Sequence, residues 1–181
     1  MDIKVRDLLK VVGILIFSMA VLFFCSATMK PVELGNLKKE QQKVMEQLLP
    51  GSKSFEEEAY EGDDENISKV FRGEDGYVIE TVTDGYVDEM TLWVGVNLEG
   101  DVTGVMVEDM AETWGLGQKA MTDMNFLEQF LDGTGEAVVG ENVDALTGAT
   151  VSSKAVIRAV NSAVAFVTGA DIASGATEWG G

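Results

Sequence analysis

The run Asp144-Ala145-Leu146-Thr147-Gly148-Ala149-Thr150-Val151-Ser152-Ser153 crowds hydroxyls and small residues directly ahead of a helical pattern. Thr150 falls at or near the N-cap of that helix, with Ser152 and Ser153 in its first turn. Backbone N–H groups and the positive end of the helix dipole converge there, which suits an anion. Gly148 and Ala149 leave room for a phosphate to reach the main chain. Ordinary capping by Thr150 accounts for the spacing equally well. A second stretch is Glu112-Thr113-Trp114-Gly115-Leu116-Gly117-Gln118-Lys119. Two glycines flanking Leu116 suit a tight loop that approaches a flat ligand closely. Trp114 and Leu116 could cover an aromatic ring system, and Lys119 could face negative charge. A plain turn around a buried Trp fits the same residues.

Composition removes most competing chemistries. The chain of 181 residues has no His and one Cys. Imidazole bases, Ser-His and Cys-His pairs, and His-ligated zinc or haem are therefore excluded. One Cys excludes an internal disulfide, a Cys-rich zinc site and an iron–sulfur cluster held by this chain alone. Thirteen basic residues against 31 acidic ones, a net charge of −18, argue against a nucleic-acid partner. The acidic segment Ser52 to Asn66 lacks the regular spacing of a calcium loop and reads as a solvated loop or helix face, so no metal site is expected. What remains is hydroxyl, carboxylate, backbone and aromatic chemistry, or a cofactor that brings its own.

The elements that must position the two stretches are legible. Tyr77 to Val82 reads as a strand, with a turn at Asp84-Gly85. Thr91 to Asn97 and Val102 to Val107 read as a hairpin around Gly100. Asn125 to Leu131 reads as a short helix ended by Gly133, and Val143 to Leu146 as a final short strand. Ala155 to Val167 carries apolar residues at the spacing of a buried helix face. The expected class is α+β, a small antiparallel sheet with packed helices over residues 70–168. Residues 169–181, rich in Gly and Ala, are expected to be a loose tail. Ahead of the domain, residues 31–69 hold an amphipathic helix from Val32 to Leu49, stopped by Pro50-Gly51, and the acidic linker.

Val11 to Met29 carries no charge, and as a helix it rises roughly 28 Å, the thickness of a bilayer core. Residues 1–30 are therefore expected to be a transmembrane anchor, with Pro31 ending its helix. A cleaved signal peptide is the competing reading, given small residues at Cys25-Ser26-Ala27. Gly13, Ser18 and Ala20 would allow close packing on other membrane helices. Lys4, Arg6 and Lys10 before the span nearly balance Lys30, Lys38 and Lys39 after it. The simplest topology is a short inner N-terminus and a single pass, with the C-terminal domain outside the cytoplasm.

Asp144-x-x-Thr147-Gly148-Ala149-Thr150, followed by Ser152-Ser153 and a helix, resembles the flavinylation signature of the FMN-binding domain family. The Glu112–Gly117 loop lies upstream at the spacing that resemblance implies. Trp114 stands where the family usually has proline. Asp84-Gly85-Tyr86 and the hairpin through Gly100 also resemble that domain, and the similarity runs from Val70 to Val167. A single span before a short domain is similar to the G subunit of the Rnf electron-transport complex, and more distantly to the longer C subunit of the sodium-pumping NADH:quinone reductase. The resemblance implies one FMN, joined by a flavin transferase through a phosphoester to Thr150. Asp144 would serve transferase recognition or hold the loop. Thr147, Gly148, Ala149, Ser152 and Ser153 would surround the phosphate, and Glu112, Thr113, Trp114, Gly115, Leu116, Gly117 and Lys119 the isoalloxazine. The implied setting is a membrane complex that moves electrons between ferredoxin and NAD while translocating sodium ions or protons, with integral-membrane and redox subunits as partners. This chain has neither a dinucleotide fingerprint nor cluster ligands, so it holds no complete site for NAD or ferredoxin. Asp171 to Thr177 repeats the motif spacing without the following serines and helix, and is read as unmodified. A free-standing reductase and a flavin-free structural or sensory module are the alternatives.

Overall fold

A computed structural model describes residues 5–110, 123–131, 133 and 136–170, with the backbone alone for 5–9, 25–37 and 109–110. The chain divides into two compact units, Met1–Gln41 and Gln42–Gly181.

The first unit consists of the leading part of helix α1, Val5–Leu48. Along it Ile14, Phe17, Leu22 and Phe23 are highly exposed. Among the described residues no helix is long and apolar enough to cross a membrane. The described side chains of the apolar span stop at Phe24, and those of residues 25–29 lie outside the described set. The expected break at Pro31 is absent, because α1 is continuous from Val5 to Leu48 and includes the predicted Val32–Leu49 helix. A proline removes one i→i−4 bond at a cost of about 3 kcal/mol, and long helical flanks on both sides carry the helix across that loss.

The second unit is an α+β domain built on a five-stranded antiparallel sheet in the order β1-β2-β3-β4-β5. Its strands are β1 Glu56–Glu58, β2 Ile67–Arg72, β3 Gly76–Asp84, β4 Glu89–Asn97 and β5 Val102–Met110. The strands at Tyr77, Thr91 and Val102 and the turn through Gly100 stand as the sequence predicts, each strand longer by a few residues. Gly100 takes φ 94°, a conformation that glycine adopts without penalty. Two corrections concern small elements. The acidic stretch contains the edge strand β1, where Glu58 pairs with Arg72 at 3.4 Å. A short charged edge resists pairing with other chains. Val143–Leu146 is not a strand, since Val143 alone forms an isolated bridge, to Val139. Side chains take both main-chain groups of Asp144 and the Leu146 N–H instead, and the Leu146 carbonyl accepts from the Ala149 N–H.

Strand alternation sorts the sheet's residues onto two faces. Val70, Ile79, Met90, Leu92, Val94 and Val96 form a core with the last helix, α3, Thr150–Thr168. Phe71, Val78 and Trp93 face the other way and pack on Met45 and Leu48 at the end of α1 and on Leu49 just after it. The Phe71 and Trp93 rings stack at 5.5 Å, and the indole N–H donates to Glu108 at 2.6 Å. A bulge between Gly95 and Val96 brings the Thr103 hydroxyl to the Leu48 carbonyl, satisfying a helix-end acceptor. The predicted helix at Asn125–Leu131 is a single turn, α2 Met124–Leu127, followed by a 3₁₀ turn at Glu128–Phe130.

The approach of α1 to the sheet is close enough to demand glycine. A Cβ on Gly95 would stand 2.1 Å from the Leu48 carbonyl oxygen, whereas one on Gly13 would meet nothing within 4 Å. Gly95→Ala is expected to lower unfolding stability by about 2 kcal/mol through this overpacking, read from the urea midpoint in detergent. Gly13→Ala should leave the midpoint unchanged.

Candidate functional site

The start of α3 differs from the N-cap arrangement that the sequence suggests. Ala149 is the capping residue, at φ −131°, and no side chain bonds the first turn from that position. Thr150 is therefore the first helical residue, and its side chain is exposed. The reason lies in the turn before it. Gly148 adopts φ 81°, and the Ala149 N–H bonds back to the Leu146 carbonyl at 2.9 Å, which closes the loop one residue earlier. The first turn of α3 contains no acidic residue, a favourable condition for an anion at the helix end.

The hydroxyls of this turn divide by burial. Ser153 is wholly buried and Ser152 is nearly so, while Thr147 and Thr150 are exposed. Ser153 donates to the Ala149 carbonyl at 2.9 Å and accepts from the Leu146 N–H at 3.1 Å. It thus staples the Leu146–Ala149 turn to the helix. Ser152 is likewise turned inward. Asp144 is exposed, and its main chain is gripped by Gln129, whose Oε1 accepts from the Asp144 N–H at 2.8 Å. Gly148 is exposed and Ala149 is buried at 5%.

Contacts along the helix fix where this turn stands relative to the sheet. The Thr83 hydroxyl donates to the Ala155 carbonyl at 3.2 Å, and the Arg158 guanidinium donates to the Asp84 carbonyl. Partial burial lowers the Arg158 pKa, and the neighbouring Asp84 opposes that shift. Ala155 is thus level with the end of β3. Thr150, five residues earlier, stands about 7.5 Å further along the helix axis. The β3–β4 turn is at this same end of the sheet, where the Gly85 N–H bonds the Asp88 carbonyl at 2.9 Å and Tyr86 is exposed. The C-terminus of β5 is there too, since Met110 pairs with Met90.

The second predicted cluster, Glu112, Thr113, Trp114, Gly115, Leu116, Gly117 and Lys119, lies outside the described residues, as does Asp171–Thr177. The flanks of the first are described. β5 ends at Met110, and the described chain resumes at Asp123, whose carboxylate caps α2 by accepting from the Asn125 and Phe126 N–H groups. The residues that sequence reasoning missed are Gln129, Thr83 and Arg158. Their roles depend on partners 15, 72 and 74 positions away, and no local pattern marks them.

Chemically, the assembled turn offers the exposed Thr150 hydroxyl at the positive end of a long helix, with the exposed Thr147 three residues before it. Among the described residues no group of three or more Cys, Asp or Glu side chains could hold a metal ion. Such a site suits an acceptor of a phosphoryl group and a holder of the resulting negative charge.

The FMN-binding domain family matches residues 85–165, a range that spans the β3–β4 turn and most of α3. The G subunit of the ion-translocating oxidoreductase complex of Methanosarcina acetivorans is 35% identical over 164 residues, covering 82% of this chain and 87% of that protein. The G subunit of the Na(+)-translocating ferredoxin:NAD(+) oxidoreductase complex of Acetobacterium woodii is 34% identical over 98 residues, 49% of this chain and 47% of its own. Its counterpart in the proton-translocating ferredoxin:NAD(+) oxidoreductase complex of Clostridium ljungdahlii is 36% identical over 99 residues, 51% of this chain and 53% of its own. Similarity to the last two thus spans about half of each.

Ser153→Ala should cost about 2 kcal/mol of unfolding stability, because the Leu146 N–H loses its acceptor beside a buried helix start. Urea unfolding checks the value. Thr150→Ala, at an exposed side chain, should change the midpoint by a small fraction of that.

Proposed function

The chain belongs to the family of G subunits of ion-translocating oxidoreductase complexes, and from that premise we propose that it carries electrons through one FMN bound covalently at Thr150. The observation that carries this reading is the exposed Thr150 side chain at the start of α3, in a first turn that has neither a side-chain cap nor an acidic residue. The bound flavin supplies the redox chemistry, taking up and passing on single electrons.

The residues at hand fit a phosphoryl group. Thr150 Oγ is the nucleophile that forms the new O–P bond. Joining free FMN would require loss of water, so the donor is a pyrophosphate, FAD. Its P–O–P bond breaks, AMP leaves, and the hydroxyl proton passes to solvent or to a base of the transferase. The phosphodiester left at Thr150 keeps a negative charge, which the α3 N-terminus stabilises. Gly148 and Thr147 border the same exposed turn. Asp144 offers its carboxylate to the transferase, and Ser153 holds the turn in shape. The segment from Glu112 to Lys119 lines the ring, Trp114 included, which is supported by its start just after Met110, on the end of the sheet where α3 begins.

The wider setting follows the family. This chain is one component of a membrane-bound oxidoreductase, and ferredoxin and NAD react on other subunits. Val11–Met29 is its single membrane anchor, with the domain on the extracytoplasmic side. The exposed apolar side chains Val11, Ile14, Phe17, Met19 and Phe24 on a continuous helix support that anchor, since water would not favour them. Outside the cytoplasm a covalent link keeps FMN from being lost by dilution.

Intact-mass measurement of protein coexpressed with the transferase tests the assignment. Native protein should gain the mass of one FMN less water, Thr150→Ala should gain none, and Thr177→Ala should match the native protein. Retention of one FMN by Thr150→Ala would overturn it.

A further inference from the structure

The Thr150 loop is held at its other end by a residue outside the motif. The Gln129 side-chain amide bonds both main-chain groups of one distant residue: Oε1 accepts from the Asp144 N–H at 2.8 Å, and Nε2 donates to the Asp144 carbonyl at 3.4 Å. This pairing fixes the path of the chain at 144 whatever side chain stands there. It therefore sets where the exposed Asp144 carboxylate begins.

Gln129 is itself firmly based. It lies in the 3₁₀ turn between Leu127 and Phe130, both buried, and the Phe126 and Phe130 rings meet edge to face at 5.3 Å. Two residues beyond Asp144 the second clamp takes over, where Ser153 holds the Leu146 N–H and the Ala149 carbonyl. The span from Asp144 to Thr150 is thus pinned at 144, 146 and 149, and the carboxylate and the hydroxyl at its two ends stand in one preset relation.

We infer that Gln129 is a positioning residue for flavinylation, which presents Asp144 and Thr150 together to the transferase as a preformed site. This inference rests on the assignment of Thr150 as the acceptor. Only an amide serves here. Glu at this position can accept from the Asp144 N–H but has nothing to donate to the carbonyl, and Met can do neither. If the unclamped loop holds the preset arrangement a tenth of the time, the transferase's apparent affinity for it falls about tenfold.

The test is steady-state flavinylation of full-length apoprotein in detergent, with purified transferase and FAD, followed by in-gel flavin fluorescence while the apoprotein concentration is varied. Gln129→Met should raise KM for the apoprotein about tenfold and leave kcat within twofold, with Gln129→Glu between it and the native protein. Asn161→Ala is the control for general loosening, since Asn161 bonds the Ala137 N–H and carbonyl at 2.8 and 3.0 Å in the same way but away from the motif. Its KM should stay within twofold of native. Native KM in Gln129→Met, or an equal rise in Asn161→Ala, overturns the inference. Failure of the underlying assignment has a different signature, flavin appearing on the Thr150→Ala protein.

Discussion

The position of Thr150 depends on how closely α3 lies against the sheet. Ala155, Ala159 and Ala163 recur every fourth residue and are wholly buried, so a row of single methyl groups faces the strands. Val156, Ile157, Val160 and Val164 fill the space on either side of that row. At this short separation the Thr83 hydroxyl reaches a helix carbonyl, and Arg158 reaches the end of β3. These contacts stop the helix from sliding. The far end is also settled, because Gly169 takes the left-handed conformation that closes the helix and Gly100 leaves room for Thr168. With the axial position fixed, the first turn of α3 must project past β3, where a ligand can reach it.

The opposite face of the sheet is covered by the last turns of α1. Gly95 and Gly104 let the backbone at Leu48 come down onto the strands, beside the stacked Phe71 and Trp93 rings. Both faces are therefore occupied, and the sheet's ends are what remain for function. At one end the β3–β4 turn, the C-terminus of β5 and the start of α3 come together. Charge is arranged to match. The chain carries a net charge of −18, yet the first turn of α3 has no acidic residue. A phosphate elsewhere on so acidic a surface would meet repulsion, whereas here the helix dipole opposes it.

Much of this was legible residue by residue. Tyr77-Val78-Ile79 and Leu92-Trp93-Val94 announce strands because β-branched and aromatic residues suit a pleated, half-buried surface. The turn at Gly100 is marked by the one residue type that takes its φ without strain. The α3 face is written in the spacing of its apolar residues. Where the reading departed from the structure, the deciding partner was remote. Nothing near Pro31 shows that the helix continues through it. Val143–Leu146 has the composition of a strand, but Gln129 and Ser153 claim the main-chain groups a ladder would need. The acidic run at Glu56 reads as a solvated loop until Phe71 and Arg72 provide an edge to pair with.

By itself, the sequence pointed to an FMN-binding domain, through the family resemblance that the contiguous Asp144–Ser153 motif carries. The absence of His and the single Cys narrowed the alternatives further. The resemblance singled out Thr150 among the hydroxyls of that turn and placed Ser152 and Ser153 about the phosphate. Residue types alone did not show that Ser153 is sealed in the core as a staple while Thr150 stands exposed. That division was decided by the rotation and axial position of α3 on the sheet. Both are set by contacts between residues far apart in the chain, and a local pattern carries no record of them.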